Sequence, residues 1–111
     1  MMKASYCQRG ESLDYTNGSD SKIEAGSVIN LTTRIGVAGT DINSKETGSV
    51  HVVGIFKMDK ASSEAITIGT AVYYDTTNKC ITATASSNVP AGYATASALE
   101  SDAYVYVKLL G

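Results

Sequence analysis

Few side chains in this chain are of the types that perform catalysis, and the only histidine is His51. It lies between Val50 and Val52 in an apolar run, and neighbouring residues of a strand point to opposite faces of a sheet. His51 is therefore predicted to point away from both valines. A catalytic histidine also needs a nucleophile and an orienting carboxylate within hydrogen-bond reach. The adjacent residues Val50 and Val52 supply neither group, and we predict a solvated surface histidine.

The two cysteines, Cys7 and Cys80, are far apart, and neither belongs to a Cys-x-x-Cys motif. A structural zinc site takes four ligands, which these cysteines and one histidine do not supply. We predict two free, partly buried thiols, no metal site and no cofactor; a disulfide between them is not expected in a reducing cytoplasm. The aspartates mostly adjoin turn residues, where a carboxylate caps the backbone, and Asp75 is predicted to begin the turn Thr76–Lys79.

Composition narrows the class of partner. A chain of 111 residues is long enough for one domain with its own core. The net charge is −2, and the nine basic residues are scattered among eleven acidic ones, which argues against a nucleic-acid partner. No apolar run is long enough to span a bilayer, so no membrane partner is expected. The first residues lack the apolar core of a signal peptide, which favours synthesis in the cytoplasm.

Short apolar segments alternate with turn residues along the whole chain, and this pattern predicts an all-β fold, a small β-barrel or β-sandwich of short antiparallel strands. The segment Gly39–Ser49 is polar and predicts a loop, and Pro90 is expected to block strand continuation. Two weak sequence echoes, EAGSVINL with TIGTAVYY and RIGVAGT with PAGYATA, indicate either a pseudo-repeat or two hairpins that share common turn residues, and we favour the hairpins. The predicted strands include Ser27–Leu31, Arg34–Ala38, Val50–Lys57 with a bulge or a close backbone approach at Gly54, Ala71–Asp75, Cys80–Thr84, Ala91–Ala96 and Ala103–Leu109.

The last of these strands has the clearest period. In AYVYVKL the residues Tyr104, Tyr106 and Lys108 alternate with Val105, Val107 and Leu109. A period of two over this length predicts one buried face and one open face. We expect the Val and Leu side chains to lie in the core, and the Tyr and Lys side chains to face solvent or a partner.

Several motifs occur in an order that is similar to one known family. They are QRGESLDYT, AGSVINL, RIGVA, VVGIFKMDKA, IGTAVYYD followed by KCITAT, VPAGYATAS and YVYVKLLG, and together they extend from about Gln8 to Gly111. In this order they resemble the DUF2190 family of phage and prophage capsid cement, or decoration, proteins. The resemblance implies a structural virion protein without enzymatic activity. It is expected to be made in the bacterial host cytoplasm and to bind the outer surface of the expanded capsid.

The resemblance also implies partners. They are the major capsid protein and further copies of the chain, with a homotrimer favoured over a dimer. We expect an N-terminal arm at residues 1–9 ahead of a single all-β domain at residues 10–111. Tyr6, Gln8 and Arg9 are the candidate capsid-binding residues, because Tyr and Arg are favoured at interfaces; a frayed terminus is the other interpretation of the arm. The alternative function is a carbohydrate- or receptor-binding β module on a virion or cell surface.

Overall fold

Nine short β-strands form two antiparallel sheets in the computed structural model, which describes residues 1–110. The first sheet has the order β1-β4-β3-β2, and the second has the order β5-β9-β8-β6-β7. Their bounds are β1 Ser12–Thr16, β2 Val28–Asn30, β3 Ile35–Ala38, β4 Thr47–His51, β5 Ile55–Asp59, β6 Ala71–Asp75, β7 Cys80–Thr82, β8 Val89–Ala94 and β9 Tyr104–Leu109. The predicted all-β fold is confirmed. A single parallel bridge between Lys60 and Ile81 joins the edges of the second sheet, which does not close into a barrel.

The predicted strand Val50–Lys57 is wrong, because it divides into the end of β4 and the start of β5, in different sheets. Val52 and Gly54 instead lengthen the strand pairing in the two sheets. The Val52 N–H donates to the Glu11 carbonyl at 3.0 Å and continues the pairing of β4 with β1, and the Gly54 carbonyl accepts from the Leu109 N–H at 3.0 Å and continues the pairing of β5 with β9. Gly54 has a φ of 129°, a backbone conformation that other residues rarely adopt. The glycine thus marks the passage between sheets, and the predicted loop Gly39–Ser49 ends earlier, where β4 begins at Thr47.

Pro90 does not block a strand, contrary to the prediction, but lies inside β8. It is opposite Tyr73, next to the point where the register of β6 and β8 shifts between Val72 and Tyr73. On its other side, the pairing of β8 with β9 begins only at Gly92. A proline, which has no N–H to donate, is tolerated at such an irregular position.

Two hydrophobic clusters form the core, and the larger one joins the sheets. Ile35 and Val37 of β3 belong to the same buried cluster as Val72, Tyr74 and Val107 of the second sheet. Val105, Val107 and Leu109 are all buried, whereas Tyr104, Tyr106 and Lys108 are exposed, which confirms the two faces predicted for β9. The smaller cluster, around Ile29, Ile42 and Val50, belongs to the first sheet alone.

The two sheets repeat one topology. The order β1-β4-β3-β2 is the same as β5-β9-β8-β6, and β7 is an extra strand at the outer edge. An isolated antiparallel bridge occupies the same place in each sheet, between Ile23 and Ile42 in one and between Ile66 and Ala98 in the other. We call residues 11–52 the first half and residues 54–109 the second half.

Backbone hydrogen bonds repeat in the two halves as well. The Gly26 N–H donates to the Ala38 carbonyl at 2.8 Å, and the Gly69 N–H donates to the Ala94 carbonyl at the same distance. Gly26 and Gly69 have φ values of 88° and 86°, so both glycines form the same turn. The sequence echoes therefore mark equivalent positions, and their attribution to unrelated hairpins was wrong.

Candidate interaction surfaces

The side chains that the sequence analysis considered for chemistry come from separate elements: Cys7 precedes β1, His51 ends β4 and Cys80 begins β7. His51 is exposed at the end of β4, as predicted, and its ring lies 6.2 Å from the ring of Phe56, measured between centroids. Residues 1–110 contain no group of three or more His, Cys, Asp or Glu side chains that could hold a metal ion. Over the same residues, no helix is long and apolar enough to cross a membrane.

A cleft of about 550 Å³ lies between the sheets, with His51 on its wall. Val28 and Val37 line it from the first sheet, and Phe56, Met58 and Tyr74 line it from the second. Burial raises the pKa of the Tyr74 hydroxyl, and the nearby Cys80 and Asp75 raise it further. The cleft is therefore a seam between the two halves with a mixed lining, since His51, Lys57, Asp59 and Lys79 also border it. Tyr74 stays protonated there at neutral pH.

Cys80, which also lines the cleft, does not have the character of a nucleophile. Burial raises the pKa of its thiol, and the negative charges of Asp75, Glu64 and Asp59 act in the same direction. The reactive form of a cysteine is the thiolate, so a raised pKa keeps this residue unreactive near neutral pH. Both cysteines are free, as predicted; Cys80 is half-buried, whereas Cys7 is exposed rather than partly buried because it lies outside the folded body.

Asp75 organises a turn. Its Oδ1 accepts hydrogen bonds from the backbone N–H groups of Thr77 and Asn78 at 2.9 and 3.1 Å, and its Oδ2 accepts one from the Asn78 side chain at 2.8 Å. These bonds, from Asn78 above all, lower the pKa of the carboxyl group. The predicted capping of the β6–β7 turn by Asp75 is confirmed.

The N-terminal segment holds the three candidate capsid-binding residues, Tyr6, Gln8 and Arg9. Residues 1–10 lie outside every strand, and residues 1–9 are all exposed. Arg9 forms an ion pair with Glu11 at 3.2 Å, and both side chains are largely in solvent, so the pair contributes little to stability. The structure thus places the three residues along one accessible segment outside the strands.

A second exposed surface extends over β5, β9 and β8. We call it the tyrosine face, and it consists of Ile55, Lys57, Tyr93, Tyr104, Tyr106 and Lys108. Cross-strand pairing puts these side chains on one side of the sheet, since Ile55 and Tyr93 both lie opposite Lys108, and Lys57 lies opposite Tyr106.

The side chains of the tyrosine face are partly held in place by one another. The Lys57 Nζ lies 4.2 Å from the centre of the Tyr104 ring, and the Lys108 Nζ lies 5.8 Å from the centre of the Tyr93 ring. Such cation–π contacts place the lysine ammonium groups over the tyrosine rings. Tyr104 and Tyr106 are each 48% exposed and Ile55 is 58% exposed, so this is a broad, amphipathic open surface.

Sequence reasoning found only part of this face. The alternation in β9 identified Tyr104, Tyr106 and Lys108. Ile55 and Lys57 were missed, because the run Val50–Lys57 was interpreted as one strand and its faces were not separated. The signal that would have helped is Gly54, which separates the two strands.

Comparison with known proteins identifies the family. A family model described as phage cement protein matches residues 7–109. The chain belongs to the phage cement protein family. No curated protein and no solved structure matches the chain. Membership of the phage cement protein family, predicted from the order of the sequence motifs, is thereby confirmed, and with it a structural role associated with the phage capsid.

The match also bears on the two exposed surfaces. It covers all nine strands, and therefore the whole tyrosine face. In the N-terminal segment it includes Gln8 and Arg9 but begins after Tyr6. The tyrosine face and the end of the N-terminal segment therefore belong to the part of the chain that matches the phage cement protein family.

Proposed function

We propose that this chain is a cement protein that binds the outer surface of the expanded phage capsid and stabilises the shell against the pressure of packaged DNA. The observation that carries the proposal is the family match over residues 7–109. The fold agrees with it, because a strand-rich body of two packed sheets is suited to a structural task. The major capsid protein is the proposed partner, the protein has no enzymatic activity, and it is made in the host cytoplasm before it joins the virion.

The N-terminal arm, residues 1–9, is the proposed capsid contact. It is exposed along its whole length and carries the apolar side chains of Met1, Met2 and Tyr6 into solvent. Lys3 and Arg9 give it positive charge, and no carboxylate precedes Glu11. Nine extended residues reach about 30 Å, far enough to lie across a neighbouring subunit. An exposed tyrosine and an arginine are side chains that anchor interfaces well.

Several copies would bind together. We propose a homotrimer, with a dimer as the alternative, because an oligomer engages several capsid subunits at once. Linking weak contacts in this way strengthens overall binding by about 10² to 10⁴ without any new contact. A short arm with few anchoring side chains is then sufficient for tight attachment.

Co-sedimentation with purified expanded capsids tests the arm. Deletion of residues 1–9 should abolish binding, and the double substitution Tyr6→Ala and Arg9→Ala should weaken it by about tenfold or more, because both anchors are removed. The matched control is the double substitution Ile68→Ala and Lys22→Ala, which removes an exposed apolar and an exposed basic side chain from the body of the protein. Undiminished binding by the deletion variant would exclude the arm as the contact, and absence of binding by the wild type would contradict the cement function itself.

A further inference from the structure

The internal repeat makes the contact between the two halves a template for contacts between copies. In the first half, Val28, Val37 and His51 are neighbours across β2, β3 and β4. Val37 belongs to the buried cluster of the second half, and Val28 packs against that cluster. This face of the first sheet is therefore the one that docks on the second half.

The corresponding row in the second half is open. Ala71, Tyr93 and Lys108 are neighbours across β6, β8 and β9 in the same register as Val28, Val37 and His51. Val37 is buried, whereas its counterpart Tyr93 is 43% exposed and belongs to the tyrosine face. The second half thus carries the same docking face as the first, built from larger side chains and left open by residues 1–110.

The surface that receives this face is also present twice. In the second half, Phe56, Met58 and Tyr74 line the cleft together with Val28 and Val37. The positions equivalent to these three residues in the first half are Leu13, Tyr15 and Leu31, which we call the receiving surface. The strand pairing shows the equivalence: Leu13 of β1 pairs with Val50 of β4, just as Phe56 of β5 pairs with Val107 of β9.

The receiving surface of the first half is more exposed than its counterpart in the second half, as expected for a surface whose contact is not filled. Met58 is 7% exposed because the first half covers it, whereas Leu13 is 42% exposed and both Tyr15 and Leu31 are half-buried. Each chain therefore has one docking face and one receiving surface that are used internally, and one of each that is free.

The two halves that carry the free surfaces differ in charge. The tyrosine face carries Lys57 and Lys108, and the nearest carboxylate in its register is Asp59, opposite Tyr104. Residues 10–54, which contain the receiving surface, have six carboxylates and three basic side chains. A surface with two lysines is accordingly attracted to the first half of another copy, and repelled by a second tyrosine face.

We propose that the tyrosine face of one copy docks on the receiving surface of a second copy, repeating between chains the contact that joins the halves within a chain. The contact is head-to-tail, so it forms a ring if the rotation closes. In the proposed homotrimer the ring contains six half-domains. The proposal rests on the proposed function in one respect, which is that the ring is the form of the protein that binds the capsid.

Sedimentation of the purified protein over a range of concentrations tests the contact. Tyr106→Lys on the tyrosine face and Leu13→Lys on the receiving surface should each raise the dissociation constant for self-association by about tenfold or more, because each forces a charge into an apolar contact. The matched control is Ile68→Lys, at an exposed apolar residue outside both surfaces, which should leave self-association unchanged. Circular dichroism verifies that each variant is folded, and Tyr104→Lys replaces Tyr106→Lys if the latter is not.

Mixing the two variants gives the decisive result. In a head-to-tail contact, each variant keeps one intact surface, so an equimolar mixture of Tyr106→Lys and Leu13→Lys should form dimers although neither variant associates alone. If two tyrosine faces pair with each other instead, Leu13→Lys will associate like the wild type and the proposal is overturned.

Other outcomes also decide against the contact. A wild type that stays monomeric at every concentration overturns it, as does a Tyr106→Lys protein that associates normally but no longer binds capsids, since the tyrosine face would then be a capsid contact. Failure of the cement function is a separate result, in which the ring forms as described but does not co-sediment with capsids.

Discussion

At the scale of single residues, the repeat is maintained by backbone geometry more than by residue identity. Asn17 and Lys60 occupy equivalent positions and are both buried. The N–H of Asn17 donates to the Glu46 carbonyl and that of Lys60 to the Ala103 carbonyl, each at 2.8 Å. An amide in one half and an ammonium group in the other thus hold the same turn, because each side chain also donates to carbonyls of the loop that follows. Such a substitution hides the repeat from sequence comparison.

Two glycines are kept at equivalent positions for a steric reason. A Cβ on Gly36 would lie 2.4 Å from the Val50 Cγ1, and a Cβ on Gly92 would lie 1.8 Å from the Lys108 carbonyl oxygen. Both contacts arise at the same place in the repeat, where β3 lies beside β4 in the first half and β8 lies beside β9 in the second. The flexible end of a valine can move, whereas a carbonyl within a strand cannot do so cheaply.

Substitution Gly92→Ala should therefore lower the free energy of unfolding by about 3 kcal/mol, because the methyl group forces β8 and β9 apart and Gly92 also has a φ of 152°. Urea denaturation followed by circular dichroism measures the change. Gly18→Ala is the control, since a Cβ there meets nothing within 4 Å, and it should shift stability by no more than about 0.5 kcal/mol. Equal effects of the two substitutions would contradict the steric explanation.

At the scale of elements, the strands with clear alternation could be predicted and the points of irregularity could not. The period of two in β9 predicted both its position and its buried face. The break at Val52–Gly54 was interpreted as an irregularity within one strand, because both strands that it separates are apolar and a glycine inside an apolar run indicates a bulge as readily as a break. Pro90 was misinterpreted for a similar reason, since its tolerance depends on the register shift of the neighbouring strand β6. The candidate surfaces share this pattern: β9 revealed half of the tyrosine face, while Tyr93 joined it only through strand pairing.

The β6–β7 turn gives a prediction that depends on pH. Hydrogen bonds lower the pKa of Asp75 from its ordinary value of 3.8, so the folded protein binds the proton more weakly than the unfolded chain does. The stabilising effect of this carboxylate is thus fully present above the unfolded pKa, and it is lost as the pH falls from there through the folded pKa. Substitution Asp75→Ala should destabilise the protein at pH 7, and the difference from the wild type should shrink as the pH falls below about 4.

Thermal unfolding at a series of pH values measures this difference. Asp14→Ala removes an exposed carboxylate from β1 without disturbing a turn and serves as the control. A destabilisation by Asp75→Ala that is constant from pH 7 to pH 2 would show that the charge of the carboxylate does not organise the turn.

At the scale of the whole molecule, the position of the larger core makes the two halves depend on each other. Ile35 and Val37 come from the first sheet but are buried with the side chains of the second sheet. The first sheet therefore lacks an independent core on that face, and the second exposes apolar surface without it. A repeat of this kind is expected to unfold as one cooperative unit, since neither half buries its faces alone.

Hydrogen exchange tests this dependence. Substitution Val37→Ala should lower the free energy of exchange by about 2 kcal/mol for the slowest amides of both β4 and β9, because the cavity lies in the core that the halves share. Val53→Ala, at an exposed residue in the connection between the sheets, should change protection in neither strand appreciably. If protection falls in β4 but not in β9, the halves unfold independently. The contact within the chain would then join two independently stable units, like the contact that we propose between copies in the ring.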